Sequence, residues 1–217
     1  MKKGFEIAAD LTEVIVKSQL LTGIAKDIPY VSTLLKALNL GDSIRDRMFA
    51  AKVMRFLESL DDVTGKERDE MSGKIKYVNQ DELNNVTDKI LFCIDSTTDI
   101  DKSEFIANLF IAYIHEKISE KDLRRCIDII QATFLDDLKA FVITDFLKGS
   151  NIKDKDLVEQ GLENLKSSIL FSSFVPSQAQ FGGSLTSNRQ SFTRTPIANT
   201  FLKAFHFGRK YREFENS

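Results

Sequence analysis

Few side chains in this sequence are of the types that carry out catalysis. His115 and His206 are the only histidines, and neither lies in an HExxH pattern or at metal-ligand spacing from a cysteine. Cys93 and Cys126 lie in apolar helical patterns, where cysteine packs as a small hydrophobic residue, as is usual in a reducing compartment. These residues therefore indicate no metal site, no disulfide framework and no nucleophilic catalytic site.

The clustered carboxylates are explained better by helix capping than by catalysis. Residues 95–104 contain four of them and resemble a calcium loop in part, but the glycine that such a loop requires is absent. The adjacent pairs Asp61 with Asp62 and Asp136 with Asp137 have no third partner that would complete an acid–base or metal site. The sequence also contains no phosphate-binding glycine loop and no GxSxG motif. We therefore predict a protein that is not an enzyme, with no cofactor and no bound metal.

Basic residues are concentrated toward the C-terminus. From Lys166 onward there are seven basic residues against two acidic ones, although the whole chain has a formal charge of −2. A basic tail on an acidic body can contact an anionic partner such as nucleic acid, or it can dock on the body itself. The candidate nucleic-acid-binding residues are Arg189, Arg194, Lys203, Arg209, Lys210 and Arg212.

The N-terminal region, residues 11–40, is amphipathic, modestly basic and interrupted by Pro29. Segments of this kind can lie on membrane surfaces, and Lys17, Lys26 and Lys36 would then contact the membrane. Packing into a helical core is the alternative. Charged residues interrupt every apolar stretch, so we expect neither a transmembrane helix nor a secretion signal, and we predict a cytoplasmic protein.

Apolar residues recur every three or four positions along most of the chain, which predicts α-helices. Capping boxes mark several helix starts, among them Asn79 with Glu82 and Ser119 with Asp122. After Ser119 one long apolar stripe continues until Gly149. The helices predicted before this stripe cover residues 11–26, 29–39, 43–60, 65–76, 80–95 and 102–116.

The C-terminal third of the chain has the element order of a winged-helix unit. Its second helix would be the recognition helix, but Glu159 and Glu163 there would repel a DNA backbone, which favours a role in packing or protein contact. The expected elements are helices over 133–148 and 154–170, a hairpin within 172–195 and a last helix over 196–212. We predict a mainly α fold, with a multi-helix bundle over residues 1–150 and a winged-helix-like unit carrying a short β-hairpin over 151–217, packed on the bundle.

Residues 23–63 read GIAKDIPYVSTLLKALNLGDSIRDRMFAAKVMRFLESLDDV, and the chain later contains SSILFSSFVPSQAQFGGS and TPIANTFLKAF. With these stretches and its aromatic helices, the chain resembles an uncharacterised group of helical bacterial and prophage-borne proteins. Some members are associated with abortive-infection resistance to phage. The resemblance spans most of the chain and rests on packing and turn patterns, so it implies a role in phage defence without assigning functional residues.

Together these features predict a non-enzymatic interaction protein of a bacterial or phage cell, acting in phage defence. Its partner would be another protein or a second copy of itself, and no small-molecule substrate is indicated. Two alternatives come from other classes of protein. A membrane-associating toxin would act through residues 11–40, and a nucleic-acid binder would act through the basic tail.

Overall fold

The computed structural model describes residues 43–61, 65–144, 152–174 and 190–213. They form a mainly α-helical fold with a small antiparallel sheet toward the C-terminus, as predicted. The helices predicted over 11–26 and 29–39 lie outside the described residues. The helices are α1 (Ile44–Asp61), α2 (Gly65–Tyr77), α3 (Gln80–Ser96), α4 (Lys102–Ile114), α5 (Glu120–Ala132), α6 (Leu135–Ile143), α7 (Asp154–Glu159) and α8 (Pro196–Glu213). The strands are β1 (Ile152–Lys153), β2 (Phe171–Phe174) and β3 (Ser191–Arg194), and a 3₁₀-helix covers Glu163–Leu165.

The chain divides into two compact units, whose boundaries differ from the division expected at residue 150. Among the described residues, those up to Gln131 and those from Ala204 onward form the first unit, and those from Ala132 to Lys203 form the second. The boundary at residue 203 falls within α8, so this helix contributes residues to both units. The three strands named above belong to the second unit.

Helix α4 forms the core of the first unit. Of its 13 residues all except Glu104 are buried, because its sequence is apolar on almost every face. Helices α1, α2 and α3 all pack against it. Helix α1 contributes Val53, Phe56 and Leu60, and the rings of Phe56 and Phe110 lie 6.0 Å apart. The apolar periodicity of α1 and α4 thus predicted this core correctly.

Lys52 is an exception to the pattern of α1. The helical periodicity places it on the surface, but the side chain is buried. Its ammonium group donates hydrogen bonds to the carbonyl oxygens of Asp95, at 3.0 Å, and Thr97, at 2.7 Å. These carbonyls lie at the C-terminal end of α3, where no further helical turn supplies donors. The burial lowers the pKa of Lys52, which acts as a cap for α3.

The last part of α8 packs tightly on α4 within the first unit. The rings of Phe105 and Phe205 are stacked, with centroids 4.8 Å apart. One turn further along, Gly208 lies so close to Asn108 that a Cβ atom at position 208 would be 2.2 Å from the Asn108 carbonyl oxygen. Residues 205–208 of α8 therefore pack closely against α4.

The long stripe after Ser119 is divided between two helices. Helix α5 ends at Ala132, and Phe134 has an extended backbone conformation before α6 begins at Leu135. Asp136 and Asp137 occupy the first turn of α6, where carboxylates interact favourably with the helix dipole and support a new helix start. The apolar stripe is therefore not one continuous helix, and Phe134 is 74% exposed instead of lying in the stripe.

The second unit contains a small antiparallel sheet of three strands. In the sheet β3 lies between β1 and β2, and both pairings are antiparallel, with Ile152 opposite Phe192 and Phe171 opposite Arg194. The β2–β3 pairing confirms the predicted hairpin, whereas β1 was not anticipated. The predicted helix over 154–170 was wrong, because α7 ends at Glu159.

Gly161 explains where α7 ends. It has a φ of +66°, and the amides of Gly161 and Leu162 donate to the carbonyls of Val158 and Leu157. This is a Schellman motif, in which a glycine terminates a helix. The expected recognition helix is thereby reduced to the short 3₁₀-helix Glu163–Leu165.

Candidate functional site

The candidate functional site is a groove of about 820 Å³ in the first unit. It lies where α2 and α4 end and where α3 and α5 begin. The residues that line it fall within two stretches of the chain, 74–82 and 113–122. The site is therefore built from helix ends and their connecting loops, which is a usual position for binding residues.

The two helix starts at the groove are fixed by the N-cap residues of the two capping boxes predicted from the sequence. The Asn79 carboxamide oxygen accepts hydrogen bonds from the amides of Asp81, at 2.9 Å, and Glu82, at 3.2 Å. The Ser119 hydroxyl accepts from the Asp122 amide at 3.1 Å and donates to the Asp122 carboxylate at 2.9 Å. Capping thus places the carboxylates of Glu82 and Asp122 in the lining of the groove.

Helix α4 ends at the groove in an unusual backbone conformation. The amides of Glu116 and Lys117 donate to the carbonyls of Tyr113 and Ala112, both at 2.8 Å, which forms a Schellman motif. Glycine usually occupies the left-handed position of this motif, but here Glu116 has a φ of +55°. Its exposed side chain lines the groove. Such strain is characteristic of functional sites.

Tyr113 and Glu82 form a fixed polar pair in the groove. The Tyr113 hydroxyl donates to a Glu82 carboxylate oxygen at 2.7 Å. Burial of the phenol raises the pKa of Tyr113, and the hydrogen bond to Glu82 raises it further, so the group stays protonated and acts as a donor. The hydrogen bond holds the Glu82 carboxylate in one orientation.

His115 lies behind the groove and links α4 to α2 and α8. Its buried ring lies 5.5 Å from the ring of Phe207, and its Nδ1 atom lies 3.1 Å from the Lys74 ammonium and 3.8 Å from a Glu70 carboxylate oxygen. An ammonium group can only donate, so Nδ1 accepts and the imidazole is neutral. Burial lowers the pKa of His115, and the Lys74 charge lowers it further.

Negative charge exceeds positive charge along the groove. The lining contains two lysines, and both have partners: Lys74 is ion-paired with Glu70 at 3.4 Å, and the Lys117 ammonium lies 5.4 Å from the centre of the Phe207 ring. Tyr77 lines the same groove but is 92% exposed. The carboxylates in the lining are those of Glu82, Glu116, Glu120 and Asp122. The arrangement can bind a positively charged group beside an exposed aromatic ring.

The basic residues predicted to bind nucleic acid are distributed over both units. Arg194 is half-buried on β3 and Lys203 is exposed, and both belong to the second unit, whereas the exposed Arg209 and Lys210 belong to the first. Arg189 and the side chain of Arg212 lie outside the described part of the structure. None of the candidates whose side chains the structure describes lines the groove.

The membrane-contact candidates Lys17, Lys26 and Lys36 also lie outside the described residues. Within the described ranges, no helix combines the length and the apolar character needed to cross a membrane.

The other residues considered for chemistry have structural surroundings. Cys93 and Cys126 are free and buried, and burial raises the pKa of their thiols to about 11 and about 12. Asp95 and Glu104 are ion-paired with Arg45 and Arg55, each pair at 2.8 Å. In the described part of the chain, no three histidine, cysteine or acidic side chains are grouped as metal ligands.

Sequence reasoning did not identify the groove. Tyr77 and Glu116 have no motif around them, and Tyr113 belongs to an apolar helical stripe. The useful signal was the pair of capping boxes at Asn79 and Ser119, because each brings acidic residues to a helix start. Nothing in the sequence alone shows that these two helix starts lie at the same groove. Comparison of the chain with family models, curated proteins and solved structures gave no match.

Proposed function

We propose that this protein acts by binding another protein, that the groove is its contact site, and that the complex functions in phage defence. The observation that carries the binding proposal is Tyr77, a large aromatic side chain that is 92% exposed and lines a groove. Tyrosines at the centre of interfaces contribute strongly to affinity, because a rigid ring buries a large area at a small entropic cost. The phage-defence part is supported by the resemblance carried by residues 23–63 and by the C-terminal stretches.

Site-specific photocrosslinking tests the contact site. A photoreactive phenylalanine analogue at position 77 is expected to yield a crosslinked product of defined mass in a bacterial host challenged with phage. The matched control is the same analogue at Phe92, which is 62% exposed on α3 and does not line the groove. Identical products from both positions, or no product from position 77, would contradict the proposal.

Phage plating tests the biological role separately. Expression of the protein is expected to lower the plating efficiency of susceptible phages, and Tyr77→Ala is expected to abolish this effect while Phe92→Ala preserves it. Circular dichroism establishes that both variants are folded. If the wild-type protein leaves the plating efficiency of a broad panel of phages unchanged, this result argues against phage defence, whatever the crosslinking result.

The nucleic-acid alternative has weaker support in the described residues. Arg209 and Lys210 are exposed near the end of α8, but Glu159 and Glu163 are exposed in the segment where the recognition helix of a winged-helix unit was predicted. Phosphate contacts are strongest at low salt. If the protein binds neither duplex DNA nor RNA at low salt, this function is excluded.

A further inference from the structure

We infer that the segment of the partner that occupies the groove is positively charged, with lysine or arginine side chains directed toward Glu82 and Glu116. This inference rests on the proposed function and specifies the chemistry of its partner. The groove contains four carboxylates and two lysines. The Lys74 charge is offset by Glu70, and the Glu120 charge is offset by Arg124 at 3.2 Å. Three carboxylates then remain against Lys117, which lies over the ring of Phe207. A cationic segment would therefore meet a net negative surface.

The Glu82 carboxylate is held in place before any partner binds, by the hydrogen bond from Tyr113. The Schellman motif at the end of α4 fixes the backbone from which the Glu116 side chain extends. Preorganised groups lose little conformational entropy on binding, so they contribute more affinity than flexible surface carboxylates. An arginine guanidinium can donate two parallel hydrogen bonds to such a carboxylate.

Tyr77 supplies a second feature that a cationic side chain recognises. A guanidinium or ammonium group over an exposed aromatic ring is stabilised by the ring quadrupole. The positive ends of α3 and α5 also face the groove and would attract an anion, but Glu82, Glu120 and Asp122 lie in the first turns of these helices and oppose that attraction. The charge balance thus favours a basic segment over an acidic one. The size of the groove, about 820 Å³, accommodates several side chains.

Fluorescence polarisation with labelled peptides tests this inference. The probe is a decapeptide of alternating arginine and alanine, and its counterpart has glutamate in place of arginine. We expect the arginine peptide alone to bind, with affinity that decreases as salt is added. Glu116→Lys and Glu82→Gln should each weaken binding about tenfold, whereas the control Glu159→Lys, an exposed site on the second unit with the same change of charge as Glu116→Lys, should not.

Equal weakening by Glu116→Lys and Glu159→Lys would overturn the inference, because it would show attraction to overall charge alone. Spermidine that binds as tightly as the arginine peptide would assign the groove to a free polyamine instead. A dimer that dissociates on Lys210→Ser would assign it to the basic tail of a second copy. Failure of the arginine peptide, together with a specific crosslink from position 77, would leave the proposed protein contact in place and overturn only the basic partner segment.

Discussion

At the scale of single residues, Glu116 combines a strained backbone with a side chain directed to the groove. Its φ of +55° is one that glycine adopts without steric cost, whereas a residue with a Cβ atom adopts it at a cost of roughly 1 kcal/mol. A sequence selected only for stability would place glycine at this position of a Schellman motif. The retained glutamate is consistent with a functional use of its carboxylate.

Replacing this residue tests whether the left-handed conformation of Glu116 lowers the stability of the protein. We expect Glu116→Gly to raise the free energy of unfolding by about 0.5–1 kcal/mol, because it removes the left-handed strain. Urea denaturation followed by circular dichroism measures the change. The adjacent Lys117→Gly is the control, and it should be destabilising, since its φ is not positive. A Glu116→Gly protein less stable than wild type would show that the side chain itself contributes to folding.

His115 gives the first unit a defined dependence on pH. Its pKa lies below the ordinary value of 6.5 in the folded protein, chiefly because the ring is buried. As the pH decreases through 6.5, the unfolded chain takes up a proton that the folded protein does not, so stability decreases. Above the ordinary pKa both states are neutral and the full stability is present.

The expected result is a wild-type free energy of unfolding that decreases between roughly pH 7 and pH 5 more steeply than that of His115→Gln. His206→Gln is the matched control, because His206 is the second of the two histidines and its side chain is half-exposed. Denaturant titrations at a series of pH values give the three slopes. A His115→Gln slope equal to that of wild type would show that another group causes the pH dependence.

At the scale of helices and strands, close backbone contact fixes the position of the end of α8. A methyl group on residue 208 would overlap backbone atoms of Asn108, which cannot move aside as a flexible side chain can. We therefore expect Gly208→Ala to destabilise the protein by about 1–3 kcal/mol. Gly73→Ala, at a helical site on α2 with no neighbour within 4 Å of the added carbon, should instead stabilise it by about 0.5–1 kcal/mol. Thermal unfolding of both variants provides the comparison, and similar effects of the two substitutions would show that α8 is not held by this contact.

Helix starts were predictable from the sequence because their determinants are local. The boxes at Asn79 and Ser119, and the start of α8 after Thr195, all depend on side chains within three residues of the amides that they cap. The hairpin was predictable for the same reason, since polar residues with two glycines separate its strands.

Helix ends and buried polar groups were less predictable, because they depend on tertiary contacts or on competing local signals. The apolar stripe continues through Phe134 although the helix does not, and Gly161 was not recognised as the end of α7. Lys52 occupies a position that periodicity places on the surface, yet it is buried as a cap for α3. The groove could not be predicted for a related reason: two capping boxes 40 residues apart in the chain meet only through the packing of α4.

At the scale of the whole molecule, the uneven burial of the helices predicts an uneven resistance to opening. Helices α2 and α4 have the same length, 13 residues, but α4 is buried on nearly every face whereas the buried apolar residues of α2 are Met71 and Ile75. Amides in α4 can exchange with solvent only after much of the first unit opens, whereas α2 can open locally. We expect hydrogen exchange followed by mass spectrometry to show slower exchange in α4 than in α2. Equal exchange rates in the two helices would mean that the first unit opens as one cooperative unit. The groove, to which α2 contributes, would then be no more mobile than the core formed by α4.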